Sequence, residues 1–583
     1  MYLLNTRVCV KPGIWAVLTA MAASSIGTAQ AQAQTPPTVP DAGRILQEQT
    51  RPQLQPPKPS QSIQLDSPAL SEVLPGGASV TLKSIRFSGN TRFTQDQLQA
   101  VVADALGKTL DLGGLKALAN RVSEHYRAQG YPFAKAFVAS QPLQEGALRI
   151  DVVEGQYGQV KAMLGTVAQP DAALQALAQG YLSHLTPGTV IESAPLERLG
   201  LVLQDLPGFK VSPILRPGQE VGTGDLDFNI ERTPRVNGDV GADNQGNRYT
   251  GRDRIKANLD INSPFLLGDQ ITLRSLLSEQ GMWMGTLGYS LPAGTSGLRA
   301  NTSFAHTYYE LGGSFASAGQ TGSADVISVG VTYPVLRSQQ TNVNLSASWQ
   351  GKQLNDKNAL ANTNADKTSN TLPITVSFDA RDAFGGGGVT YGSLTWTSGN
   401  LNLDSSLSIG DASAQTAGRF NKFNLDVARI QALPWGGGSS FTLFGKLSIQ
   451  HAGKNLDSSE DFGLGGATGV RAYPSGEAFG DAGWLTQIEL RYSAGANGPY
   501  GSYAPYLFYD AGSIATNANP WTVTAAGNDR KLAGLGVGLR YQRASWSLDA
   551  AMAWRTAGGL PQSDAQDLRE RGPQAWVSLG WRF

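Results

Sequence analysis

From residue 234 to the C-terminus the chain repeats one signal, an alternation of apolar and polar side chains with a period of two. Ile255, Ala257, Leu259 and Ile261 interleave with Lys256, Asn258 and Asp260, and Val577, Leu579, Trp581 and Phe583 with Ser578, Gly580 and Arg582. Successive side chains of a strand point to opposite faces, so this pattern predicts strands that are apolar on one side. About sixteen such strands follow one another without a convincing helix, the even number expected of a bacterial barrel. The connections alternate too: 291–298, 433–440 and 541–545 are short, whereas 355–369, 402–419 and 456–481 are long and polar. Short turns at one end, long loops at the other and aromatics near strand ends predict a closed antiparallel transmembrane β-barrel over residues 234–583. A soluble β-sandwich would show neither the length alternation nor so many strands.

Before residue 234 the period changes to that of helices. Residues 94–106 carry Leu98, Val101, Val102 and Ala105 on one face, and 115–129 carry Leu115, Leu118, Ala119, Val122 and Tyr126. With strands at 80–87, 134–140 and 147–153 they form a β-α-α-β-β module. A second such module has a strand at 159–164, helices at 171–181 and 194–205, and strands at 210–216 and 224–231. Each module is expected to end in an edge strand open to an added extended peptide. Residues 34–77 are a Pro-, Gln- and Ser-rich linker with one helical island, in which Asp41 caps a short helix bearing Ile45 and Leu46. A helix this short is marginal in water and needs a surface to dock on.

Composition narrows the function. Lys+Arg and Asp+Glu are both 46, so no basic field points to nucleic acid. Arg7 and Lys11, the apolar run 13–23 and Ala29-Gln30-Ala31 read as a signal peptide over residues 1–33. The one cysteine, Cys9, lies inside that leader, which excludes disulfides and thiolate metal sites from the mature chain. The four histidines have no metal spacing, no G-x-S-x-G occurs, and Gly463-x-Gly465-Gly466 lacks the lysine of a phosphate loop and reads as a mobile loop. Glu460-Asp461 reads as a solvated pair on an external loop. The chain is therefore expected to be no enzyme and to hold no cofactor or metal.

Two charged residues stand apart. Asp510 shares its strand face with Ala504 and Tyr506, while Tyr503, Leu507 and Tyr509 point the other way, which places Asp510 in the lumen if the latter face lipid. Arg471, on the longest Gly-rich loop between the eleventh and twelfth strands, could reach it and form a fork-to-carboxylate bond. On local grounds a solvated lumen aspartate and an unrelated loop arginine are the simpler account.

Particular motifs go further. Tyr126-x-x-x-Gly130-Tyr131, Gln141, Gly146, Glu154-Gly155, Asp243-Asn244 and Thr250-Gly251 fit one pattern, as do Val470-Arg471-x-Tyr473 with Gly480-Asp481-x-Gly483, and Phe508-Tyr509-Asp510-Ala511-Gly512. In these the chain resembles the outer-membrane transporters of two-partner secretion, the TpsB or hemolysin secretion/activation family. It departs from them at Ala472, where the family usually has Gly, which bears on the local turn. The resemblance implies two polypeptide-transport-associated (POTRA) domains, at 78–157 and 158–233, in the periplasm below a barrel in the bacterial outer membrane. It implies that Asp510 holds Arg471 of the inward-folded loop, that Asp41, Ile45 and Leu46 belong to a plug helix in the pore, and that Phe583 is the terminal signal for barrel insertion. It further implies a large TpsA-like exoprotein bound unfolded and exported without nucleotide hydrolysis, outer-membrane lipid around the barrel, and the barrel-assembly machinery as a partner in biogenesis. An assembly factor for other barrels, or less readily a passive porin, are the alternatives.

Overall fold

The computed structural model describes residues 39–50, 54–57, 70–74, 76–77, 79–142, 144–164, 171–435, 440–494, 500–521, 527–563 and 571–583. The leader at 1–33, Cys9 with it, and much of the linker lie outside the described residues. Helix α1 (Ala42–Thr50) comes first, then the two modules, then a closed barrel of sixteen antiparallel strands, each paired with its neighbours in sequence, from Val236–Asp243 to Gln574–Arg582. No helix among the described residues is long and apolar enough to cross a membrane. Outward positions carry Leu447, Leu507, Val537 and Leu579, as a lipid-facing surface requires.

The first and last strands close the barrel through a short ladder, Ser578–Arg582 against Asp239–Asp243. Side chain and terminus extend it. Asn244 Oδ1 accepts from Val577 N–H at 2.8 Å and its Nδ2 donates to Ala575 O at 2.9 Å, while Phe583 N–H donates to Gly238 O at 3.0 Å. Phe583 thus sits on the seam, its ring 5.3 Å from that of Trp581. The connection expected at 355–369 is mostly strand: Thr341–Asn358 and Thr363–Asp382 pair to their tips, leaving only 359–362 as a turn. Strand rising above the bilayer has no apolar face to reveal it. The connection at 402–419 holds two single-turn helices, Ser405–Ser408 and Asp411–Ala414, where no helix was expected.

In the first module α2 (Gln95–Val102) and α3 (Leu112–Ala128) cover a three-stranded sheet, and in the second α4 (Ala172–Leu182) and α5 (Ser193–Gln204) do the same. Leu98, Val122, Tyr126 and Ile150 fill one core, and Leu174, Tyr181, Leu203 and Phe228 the other. The last strand of each module is not an edge, contrary to expectation. Ala147–Val153 lies between Ser84–Ser88 and Lys135–Phe137, and Thr223–Arg232 between Gln156–Leu164 and Phe209–Pro217. It pairs in parallel with the first strand because two helices have intervened, and in antiparallel with the second.

The first strand of each module is an edge, and a pair of glutamines covers it. Gln95 accepts from Phe87 N–H at 3.0 Å and donates back to Phe87 O, while Gln99 donates to Ile85 O at 3.1 Å. In the second module Gln179 accepts from Ala162 N–H and donates to Val160 O, both at 3.0 Å, and Gln175 donates to Ala162 O at 3.2 Å. Spaced i, i+4 on one helix face, each pair takes the backbone positions a further strand would need.

Glu154 ties the first module together, accepting from Thr91 N–H at 2.7 Å, Arg92 N–H at 2.8 Å and Tyr126 Oη at 2.9 Å. Burial alone would raise its pKa, but these donors outweigh it and hold the carboxyl below its ordinary value. A depressed carboxyl contributes stability that is present above its unfolded value and lost as pH falls through the folded one. Amide protection in this module is therefore expected to fall below about pH 4. Hydrogen exchange should show Glu154→Gln lacking that acid-dependent loss.

Candidate functional site

The lumen holds two segments that are not part of its wall. Helix α1 is one. Asp41 caps it through Arg44 N–H at 3.0 Å, and Ile45 and Leu46 enter an apolar cluster with Tyr249, Leu276, Tyr309 and Leu354 from the barrel. Its N-terminus is fixed by Ala42 N–H to Asp356 Oδ1 at 2.8 Å, and its far end by Asn247 Nδ2 to Glu48 and Arg254 Nη1 to Gln49, both at 3.0 Å. Residues 51–53, which follow this helix, lie outside the described residues.

The loop at 453–481 is the other. It leaves the eleventh strand (Phe441–Ala452) and folds back into the barrel, with a two-stranded hairpin, Phe462–Gly463 with Phe479–Gly480, at its base. The hairpin stands outside the sixteen-stranded ladder. The Gly465 neighbourhood is packed against Pro474 and Glu477, so the glycines serve close contact and not the mobile loop they suggested.

At its tip Arg471 meets Asp510 as a fork, Nε to Oδ2 at 2.8 Å and Nη2 to Oδ1 at 2.7 Å, and its own N–H adds a third bond at 3.0 Å. Asp510 is 0% exposed and Arg471 5%. Three partners had no counterpart in the sequence reading. Glu489, on the inward face of the twelfth strand (Ala482–Tyr492), takes Arg471 Nη1 at 2.6 Å. The Phe508 ring lies under the guanidinium at 3.6 Å, and Trp576 Nε1 donates to the Arg471 carbonyl at 2.7 Å. An acid at an inward position of the strand beside the one carrying Asp510 was the available signal for Glu489.

The other expected loop residues surround this contact. Val470 is buried and its N–H donates to Leu464 O at 2.7 Å, while Tyr473 Oη donates to Ala557 O and Gly559 O at 2.7 and 2.9 Å. Asp481 accepts from Leu456 N–H at 2.8 Å and Ala518 N–H at 2.7 Å, staking the loop base to a neighbouring loop. A Cβ on Gly480 would lie 2.3 Å from Ala515 O, and one on Gly483 2.6 Å from Ser513 O, so only glycine fits either place.

Glu460 corrects a reading: it is buried, not solvated. Its carboxylate takes Lys352 Nζ at 2.5 Å and Lys422 Nζ at 2.8 Å from the barrel wall. Nearby, Lys367 Nζ bonds Asp457 of the loop at 2.8 Å and Asp41 of α1 at 2.9 Å, and Ser458 Oγ bonds Asp41 at 2.7 Å. Gln47 of α1 also donates to Ser459 O. The wall, the loop and the helix therefore share one ionic knot. Arg471 and Asp510 are brought together directly; Asp41 joins the loop through this knot, while Ile45 and Leu46 of the same helix pack on the barrel wall; Phe583 stands apart on the seam.

Residues 222–541 match the family model described as haemolysin secretion/activation protein ShlB/FhaC/HecB, and residues 80–155 match the POTRA domain, ShlB-type. The chain belongs to this family. Among its relatives are the heme/hemopexin transporter protein HuxB of Haemophilus influenzae strain 86-028NP, 28% identical over 500 residues covering 84% of each chain, and the outer membrane transporter CdiB of Dickeya dadantii strain 3937, 22% identical with 87% and 83% covered. The solved structures of CdiB from Escherichia coli and from Acinetobacter baumannii share the fold. Their TM-scores are 0.69 and 0.61, at 19% and 18% identity; the first alignment covers 87% of this chain and 91% of that one, the second 92% and 96%. This transporter of two-partner secretion thus has its barrel in the outer membrane and its POTRA domains in the periplasm.

Ala472, where the resemblance led to an expectation of glycine, has a local compensation. Ala472 lies outside the left-handed region, so the turn does not demand glycine. Its methyl group is buried over Gly534 of the fourteenth strand, where a Cβ would come within 2.3 Å of it. Gly534→Ala is expected to overpack this contact by about 1–3 kcal/mol, read as faster proteolysis of the loop, and adding Ala472→Gly should restore resistance.

Proposed function

We propose that this transporter captures an unfolded exoprotein as an extended chain on its POTRA domains and passes it through the barrel once α1 and the loop have moved. One observation carries the reading. Both obstructions in the lumen are held by side-chain contacts, and neither is stitched into the closed ladder. Both can therefore leave without opening the wall. A cavity of about 610 Å³ already lies between them and strand positions such as Thr375 and Asn424. In this reading the Arg471–Asp510 contact is a gate or anchor for the loop, and α1 is the resting plug. Folding of a large TpsA-like partner outside the cell supplies direction, so no nucleotide is used. Phe583, on the seam, serves as the signal to the barrel-assembly machinery.

The edge best suited to the extended chain is Phe209–Pro217. The first strands are covered by glutamines, and on Lys135–Phe137 Ala136 N–H is already taken by Ser123 Oγ at 2.8 Å. On Phe209–Pro217 Gln204 covers only Val211 O, at 3.2 Å. Gly208 and Gly218 bond the central strand, so by alternation Pro213, Leu215 and Pro217 point their backbone outward, the two prolines offering a carbonyl alone and Leu215 both a carbonyl and an N–H. This edge begins beside the barrel, where Gly208 meets Asn262. An added strand would thus be laid toward the pore mouth.

Deleting the transporter should stop secretion of one large exoprotein; widespread loss of outer-membrane proteins would instead favour an assembly factor. Leu215→Pro removes an outward N–H that an edge strand can spare. Several-fold weaker capture of an unfolded partner fragment, with unchanged melting, is expected; undiminished capture would exclude this edge.

A further inference from the structure

The outer surface of the barrel carries a furrow beside the seam. Four outward positions stand in one row across neighbouring strands: Leu579 on the last, Ala242 on the first, Ile255 on the second and Leu277 on the third. Ala242 is the small member, so the row dips over the first strand. Ile255, left uncovered on that side, is 61% exposed. Leu579 and Val577 form one wall and Ile255 and Leu277 the other, around a space of about 500 Å³. Its upper rim is polar, with Asn244, Asp253 and Glu279.

The height of the furrow sets what can fill it. The first strand, Val236–Asp243, has eight residues. At about 3.4 Å per residue and a tilt near 40° it rises roughly 20 Å, short of an apolar band about 25 Å tall. It therefore ends inside the outer leaflet, while the last strand continues past it. Backbone groups at that depth must be satisfied by the protein itself, and Asn244 does this for Val577 N–H and Ala575 O. The strands on either side of the first stand roughly 10 Å apart, which leaves room over Ala242 for one hydrocarbon chain but not for the wall of another barrel.

We propose that one acyl chain of lipid A, the lipid of the outer leaflet, lies along this furrow over Ala242 and completes the wall where the first strand stops. The apolar walls take its methylene groups, and the polar rim marks the level at which its headgroup begins. The seam gains most from such a chain. Its ladder is short, Ser578–Arg582 against Asp239–Asp243, and the carboxamide of Asn244 is all that continues it upward. An acyl chain lying over these bonds keeps competing headgroups and water away from them. Lipid around the rest of the barrel exchanges freely; here it is held in one place.

Native mass spectrometry of the full-length transporter, purified from outer membranes in a mild detergent, tests this. One lipid A per chain should remain on the unmodified protein. Ala242→Leu raises the floor of the furrow and should lose most of that lipid. Ile255→Trp fills the furrow from its wall, without touching either strand of the seam, and should do the same. Ala347→Leu, a like change at an outward alanine of the seventh strand, should keep the lipid. A shift between heated and unheated samples on a gel shows that each variant is folded. Equal lipid A on all four proteins, retention of phospholipid alone, or a lipid-free dimer mass would overturn the proposal, the last by giving the furrow to a second copy of the chain.

Discussion

Replacing Arg471 with glutamate is expected to abolish export while leaving an assembled barrel. The guanidinium offsets two carboxylates in a buried part of the lumen, Asp510 and Glu489. Removing one partner of such a set strands the others, at a cost of about 3–5 kcal/mol, and a third carboxylate adds repulsion. That cost falls on the loop, because the sixteen strands pair without it. Arg491 and Arg540, which also contact Glu489, keep that acid partly compensated in the wall. The loop should detach and become accessible to external protease, while the folded barrel still runs faster than the heated one on a gel. Arg471→Lys should be intermediate, since an ammonium cannot reproduce the fork. Normal secretion by Arg471→Glu would sink the assignment.

Deleting Ala42–Thr50 should give the largest rise in conductance of any single change, because the helix fills the lumen with its apolar face against Tyr249 and Leu354. Lys367→Met should reach part of that effect without removing a residue of the plug. Lys367 Nζ is the cation common to Asp41 and Asp457; without it, two carboxylates face each other across the helix and the loop. Since Ser458 and Ser459 also bond α1, loosening one segment should loosen the other. A deletion variant with unchanged conductance would show that α1 is not the obstruction. A Lys367→Met channel as closed as the unmodified one would show that the knot does not couple them.

The barrel was legible in the sequence because lipid outside and polar lumen inside write a period of two into every strand. Its upper parts were not: strands beyond the bilayer, such as those around 355–369, have water on both sides and lose the pattern. In the modules the helices and strands were legible from their periods, but the central place of Ala147–Val153 and Thr223–Arg232 was not. Parallel pairing across two helices leaves no local mark. Arg471 and Asp510 could be singled out by type and place, yet their meeting followed only from resemblance. Glu460 was misread because an acid in a polar loop looks solvated until the loop turns inward and finds Lys352 and Lys422.

The glutamine pairs over the first strand of each module have a consequence for the membrane as a whole. Copies of this transporter diffuse in a plane, and their modules hang at the same depth below it. Any bare first-strand edge would meet an identical edge at matching height, in an orientation the membrane already restricts. Strand pairing between such edges would stitch pores into rows. With Gln95, Gln99, Gln175 and Gln179 occupying those backbone groups, we expect no pairing between pores through these first strands, however densely they are packed.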